Sequence, residues 1–242
     1  MSREGRRNKR KLQLCLFLVI VVFLLAFLVH NQVLQDVFSP IPKGAVYRVE
    51  TPDKVVAVTF DVVWEPGNIE KILDILDHYE IQATFFLTGS WLRKNATLAR
   101  DITLHGHEIG QHSQNHKNLT ELKDEDLTRE FDLMEETLQE ELSLVTNLFR
   151  PPLGELDQRI CDYAKTRGYT TVLWSINPHD WLEPGVDKIV SRVVKNIHNG
   201  AIILFHTNST QSIEALPLVI QSLKMKGYNT LTVSEMLELA EK

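Results

Sequence analysis

The chain has 242 residues, 43% of them hydrophobic, with a formal net charge of −6 at pH 7, enough length for one sizeable core once its N-terminal segment is set aside. Residues 1–13 hold six basic side chains (Arg3, Arg6, Arg7, Lys9, Arg10, Lys11) against one acid, Glu4, so the remainder carries about −11 and offers no basic stripe for nucleic acid, which excludes DNA or RNA as an expected partner. Cys15 and Cys161 fall in different parts of the chain, so no internal disulfide is expected and the core must hold itself together.

Leu14–Val29 is an unbroken apolar run behind that basic flank, the pattern of an export signal. No Ala-x-Ala-like site follows it, so residues 14–30 are expected to remain as a transmembrane anchor, at the lower length limit for a hydrocarbon core of roughly 30 Å. Residues 1–13 then stay cytoplasmic and the rest of the chain faces outward, giving a single-pass cell-membrane protein whose one expected membrane contact is this helix. A buried core helix would need an amphipathic face, which the run lacks. Residues 31–53, with Pro40, Pro42, Gly44 and Pro52, read as linker and lead-in, and residues 54–242 as the globular domain.

Within that domain short extended runs alternate with helical patterns. Val55–Phe60, Ala83–Leu87, Glu108–Gly110, Leu148–Phe149, Thr170–Trp174 and Ala201–Phe205 are strand-like, often β-branched or aromatic. Ile69–Tyr79 and Glu121–Leu144 repeat apolar residues at steps of three and four, the latter at Leu127, Phe131, Met134, Leu138 and Leu142 among acids that read as a solvated face. Leu156–Arg167, Gly185–Asn196, Ser212–Lys226 and Val233–Glu241 complete the helices, with Gly168, Gly200 and Gly227 placed for left-handed ends. Such alternation means an α/β domain with parallel strands, and in that architecture the site lies at the C-terminal ends of the strands.

Four places meet that rule. Asp61 follows one strand, where a carboxylate can act as general base, or equally cap a helix or form a turn. His112-Ser113-Gln114-Asn115-His116 sets two imidazoles four apart, which on a helical turn would face one metal ion; polar surface is the competing reading. The segment Trp174 to Trp181 ends another strand and brings Asp180 beside Trp181. His206 follows a fourth, where an Asp could fix its imidazole, or where it could be a satisfied core histidine. Arg150-Pro151-Pro152-Leu153-Gly154 is a stiff turn presenting a guanidinium suited to a carboxylate, or a structural turn with a surface Arg.

Thr59-Phe60-Asp61, His112-Ser113-Gln114-Asn115-His116, Arg150-Pro151-Pro152-Leu153-Gly154, Asp180-Trp181 and Leu204-Phe205-His206, in this order and spacing, resemble the polysaccharide deacetylases, the carbohydrate esterases with a NodB homology domain, over about residues 54–239. The sporulation-associated subgroup is the most similar. The resemblance implies a distorted (β/α) barrel of fewer than eight strands. It further implies that His112 and His116 hold a divalent metal, zinc first, with cobalt or nickel also suited. Asp61 would be the base and His206 the acid in removing acetyl from an amino sugar of a cell-wall glycan, peptidoglycan first. Arg150 would hold Asp61, Asp180 would hold His206, and Trp181 with Leu204 would line the acetyl pocket. Leu153 stands where relatives have Tyr, in a role a backbone N–H supplies.

One departure bears on the chemistry. The family's first motif reads Thr-Phe-Asp-Asp-Gly-Pro, and here Val62 replaces the second Asp, the third metal ligand. Glu65, Asn115 or another side chain would have to supply the missing donor; otherwise the domain binds glycan with little turnover.

Overall fold

A computed structural model describes residues 42–64 and 66–240. Nothing in the anchor expected at residues 14–30 falls within that range, and among the described residues no helix is long and apolar enough to cross a membrane.

The chain runs β1 (Ala45–Val46), β2 (Val55–Val62), α1 (Ile69–His78), β3 (Thr84–Leu87), α2 (Gly89–Lys94), α3 (Ala96–Leu104), β4 (Glu108–Gln111), α4 (Asp124–Leu142), β5 (Leu148–Phe149), α5 (Gln158–Thr166), β6 (Thr170–Val172), α6 (Val186–Asn196), β7 (Ala201–His206), α7 (Thr210–Met225), β8 (Asn229–Thr230) and α8 (Val233–Ala240). The strands form one parallel sheet in the order β1-β6-β5-β4-β3-β2-β7, with β8 paired beside β2. Among the described residues seven strands therefore lie on the continuous path and an eighth, of two residues, lies off it, where the resemblance implied fewer than eight. Isolated bridges from Arg48 to Ala201 and from Ile176 to Ile203 join the first and last parts of the sheet, curling it into a partial barrel.

Strand β2, VVAVTFDV, is buried at every position, as a central parallel strand covered on both faces must be. Its alternation sorts the core. Phe60 and Val62 point outward with Phe85 and Leu87 to a layer completed by Ile72 and Leu76 of α1. Ala57 points inward to Phe86, Leu148, Val172 and Ile202, and Val233 and Met236 of α8 fill the same interior. Gly110 is required there: a Cβ would come within 2.5 Å of the Phe86 ring.

Pairing with β3 and β7 on both sides carries β2 past Phe60, so Asp61 lies inside the strand rather than after it. His206 likewise ends β7 rather than following it. Residues 42–53 also differ from the linker reading: Ala45–Val46 pairs with β6, and the buried Val49 donates its N–H to the Gly200 carbonyl at 2.9 Å. A two-residue strand among prolines leaves no periodicity to read. Helices α2 and α3 were not delimited from sequence because Asn95, with φ −130°, divides them into pieces too short to show a stripe.

Gly200 sits at φ +68°, with its missing side chain directed at the Val49 carbonyl. Gly200→Ala is expected to destabilise the domain by more than ~1–2 kcal/mol, the cost of the left-handed backbone alone, read as a lower urea midpoint with unchanged slope.

Candidate active site

Register places the first pair. Asp61 of β2 lies directly beside His206 of β7 and Phe86 of β3, so carboxylate and imidazole share the inner face at the open end of the barrel. Asp61 Oδ1 accepts from Arg150 Nη1 at 2.8 Å. The guanidinium is fully buried; its Nε donates to the Val172 carbonyl at 3.3 Å and its Nη2 to that of Leu173 at 3.0 Å, and its carbon lies 4.0 Å from the centre of the Phe86 ring. Burial alone would push the Asp61 carboxyl up, but Arg150, with His112 and His206 behind it, outweighs this and holds it below the ordinary carboxylate range.

The same arginine orients the first imidazole. His112 Nδ1 donates to the Arg150 carbonyl at 2.7 Å, leaving Nε2 with its lone pair 3.5 Å from Asp61 Oδ2 and without a hydrogen-bond partner. His116 comes alongside, ring centres 4.9 Å apart. No helical turn achieves this: Ser113 at φ 63° and His116 at φ 55° bend a loop through two left-handed positions, unlike the turn expected from the four-residue spacing. The loop is fastened by Gly89 and Ser90 at the start of α2, whose N–H groups donate to the Ser113 and Gln114 carbonyls at 3.0 and 2.8 Å. Burial lowers both imidazoles, His116 to about 4, so both are neutral lone-pair donors at neutral pH.

Glu130 completes that fastening and was missed. It lies on the acidic helix α4, yet is only 2% exposed; its Oε2 accepts from the Asn115 N–H at 2.8 Å and its Oε1 from Asn115 Nδ2 at 2.9 Å and Lys117 Nζ at 3.0 Å. Its position on the Leu127–Phe131–Met134 stripe was the available signal.

Across the site, His206 Nδ1 bonds Asp180 Oδ1 at 2.8 Å, while Asp180 Oδ2 accepts from the His206 N–H at 2.7 Å and Ser212 Oγ at 2.5 Å. Burial opposes a charged imidazole, but the Asp180 hydrogen bond and charge, backed by Asp61, outweigh it and raise His206 above its ordinary value. Between the dyads opens a cavity of about 480 Å³, lined by Asp61, His116 and His206 together with Leu153, Trp174, Trp181 and Leu204. Leu153, at φ 62°, and Trp181 are large exposed side chains on its rim, whereas Leu204 is buried. Trp64, Asn177, His179, Thr207 and Asn208 also line it, with no role foreseen for them from sequence.

All nine residues singled out from the sequence thus converge on one cavity or its supporting bonds. As a metal site the described donor set falls short. His112 and His116 offer two nitrogens, and a catalytic zinc ordinarily takes three protein ligands. Val62 points away, into the layer with Phe60 and Leu87, so an aspartate there would enter that apolar layer as an unpaired charge unless the strand end turned. Asn115 is engaged with Glu130, Glu65 lies outside the described residues, and among these no group of three His, Cys, Asp or Glu side chains could hold a metal.

Glu130→Ala is expected to cost about 1–3 kcal/mol in urea unfolding, since it strips the acceptor from the Asn115 amide, with Glu130→Gln retaining part of the loss because one oxygen still accepts.

Residues 48–172 match the family model for polysaccharide deacetylases. The chain is 36% identical over 211 residues to the uncharacterized protein YlxY of Bacillus subtilis, covering 87% of itself and 63% of that protein, so it spans under two thirds of YlxY's length. It is 38% identical over 206 residues to a peptidoglycan-N-acetylglucosamine deacetylase of Bacillus cereus, covering 81% of itself and 94% of that enzyme. BA3943 of Bacillus anthracis, a CE4 family pseudoenzyme, superposes with a TM-score of 0.78 at 29% identity over 83% of this chain and 71% of that one. A mutant of BA3943 has restored enzymatic activity. With the family model covering half its length and the B. cereus relative nearly all of that enzyme's, the chain belongs to the polysaccharide deacetylase family.

Proposed function

We propose that the domain hydrolyses N-acetyl groups on amino sugars of a cell-wall glycan, peptidoglycan first. The observation that carries this is the pairing of a carboxyl shifted down, Asp61, with an imidazole shifted up, His206, on neighbouring strands of one cavity. In the reaction Asp61 takes a proton from the attacking water as its oxygen bonds to the acetyl carbon. The backbone N–H at Leu153 faces the developing oxyanion in the role the family implies. His206 then protonates the leaving nitrogen from Nε2 as the C–N bond breaks, releasing acetate and the free amine. Asp180 keeps the imidazole charged and oriented, and Trp181 with Leu204 receives the methyl.

A second reading, glycan binding with little turnover, is favoured by Val62 and by the base itself. A carboxylate held low by Arg150 is a weak base, so Asp61 alone gives little drive for deprotonating water, and the two imidazole donors leave the expected divalent ion, zinc first, without its third ligand. The likeness to a pseudoenzyme points the same way. The reading also places the domain outside the cell, tethered through residues 14–30, which recovery of the full chain in the membrane fraction checks.

Acetate release from peptidoglycan and chitin oligomers separates the two. Wild type supplied with zinc, cobalt or nickel is expected to release acetate, chelator to suppress it, and Asp61→Asn to cut it at least ~100-fold, in line with loss of a general base. No acetate under any metal, with wall polymer still retained in a pull-down, leaves the binding reading in place.

Activity needs His206 protonated and Asp61 ionised, so it falls as pH rises through the raised His206 value and as pH drops through the lowered Asp61 value. Asp180→Asn removes the partner that raises His206, and the alkaline limb of the rate profile is expected to shift to lower pH.

A further inference from the structure

We infer that Trp64 is a sugar-stacking residue that gives the site its preference for a glycan polymer over a single amino sugar. The inference rests on the glycan reading above and names a substrate contact that reading lacks.

Trp64 is 66% exposed, yet it is displayed on a clamped base. On one side Thr88 donates its N–H to the Val62 carbonyl at 3.1 Å and its hydroxyl to the Val63 carbonyl at 3.3 Å. On the other, Asn68 donates both its backbone N–H and its Nδ2 to the Thr207 carbonyl, at 3.0 and 3.2 Å. Gly67 lies so close that a Cβ would come within 2.9 Å of Thr207 Oγ1. The indole meets the His116 ring at a steep angle, centres 5.4 Å apart and planes at 74°, and its 66% exposure leaves surface free for a ligand. An indole this bare beside backbone fixed in this way contributes little to the core; it is placed for a ligand.

The chemistry of the cavity selects the ligand. Trp64, Leu153 and Trp181 supply an apolar rim, and Asp61, His116 and His206 a polar floor. A pyranose matches both, since the C–H bonds of one face pack on an aromatic ring while its hydroxyls reach hydrogen-bonding groups. An acyl chain would leave the floor groups unpartnered, and a nucleic acid meets an acidic domain. The cavity, about 480 Å³, lies toward the small end of ligand sites and suits the reacting sugar, so an indole on its rim meets the next ring of a chain.

The test titrates the full chain calorimetrically with N-acetylglucosamine and with chitin oligomers of increasing length. Trp64→Ala is expected to weaken oligomer binding about tenfold, or about 1.4 kcal/mol, while changing monosaccharide binding little, and Trp64→Phe to recover most of the loss. Where turnover is measured, the change falls on KM rather than kcat. Equal oligomer affinities for wild type and Trp64→Ala, with both folded by circular dichroism, overturn the inference and leave the glycan reading standing. Failure of wild type to bind any oligomer or wall polymer removes the glycan reading itself.

Discussion

The site depends on one buried ion pair, Asp61 with Arg150. Arg150 bonds the Asp61 carboxylate through its side chain and fixes His112 through its own carbonyl, so two of the site's groups take their positions from a single residue. Burying such a pair carries a desolvation cost that further hydrogen bonds offset, and here the Val172 and Leu173 carbonyls accept from the other two guanidinium nitrogens. Losing either partner would leave an uncompensated charge in the barrel interior, typically worth ~3–5 kcal/mol, so the pair supports fold as well as chemistry. Gly110 belongs to the same arrangement, because only a residue without a side chain leaves space for Phe86, on which Arg150 lies.

The two dyads pull their titrating groups in opposite directions from a shared cause. Both Asp61 and His206 are buried enough to disfavour charge, and each is shifted toward its charged form by a partner, Arg150 for one and Asp180 for the other. His112 and His116 have no such counter-charge strong enough and are driven neutral. The site therefore sets a carboxyl shifted down and an imidazole shifted up beside two imidazoles shifted down, a division set by which residues received a partner. It is also why Val62 matters more than its size suggests: the acid-base groups are complete, whereas the lone-pair donors are one short, and the strand end directs that position into the helix layer.

Much of this was legible in the sequence because it rests on local signals. The buried apolar runs of β2 and β7 and the largely buried stripe of α4 announce themselves by composition and period. Asp61 and His206 were findable because parallel strands deliver their C-terminal ends to one face. What escaped depends on contacts between distant segments. The His112–His116 loop reads as a helical spacing, and only its left-handed positions, held by α2 and by Glu130, show otherwise. Glu130 sat among acids that are mostly solvated. Residues 45–46 join the sheet through a strand too short for any pattern, and Trp64 gains its setting from Thr88 and Thr207, which lie 24 and more residues away.

The fully enclosed guanidinium has a further consequence for ionic strength. Mobile ions screen charges across water with a reach of about 8 Å at physiological salt, and they cannot enter the space between Arg150, Phe86 and Asp61. The excess of acids on the outside of the domain is open to that screening. Salt therefore modulates how a charged ligand approaches the domain, while the field beside Asp61 stays as the fold sets it, and approach and chemistry become separately adjustable.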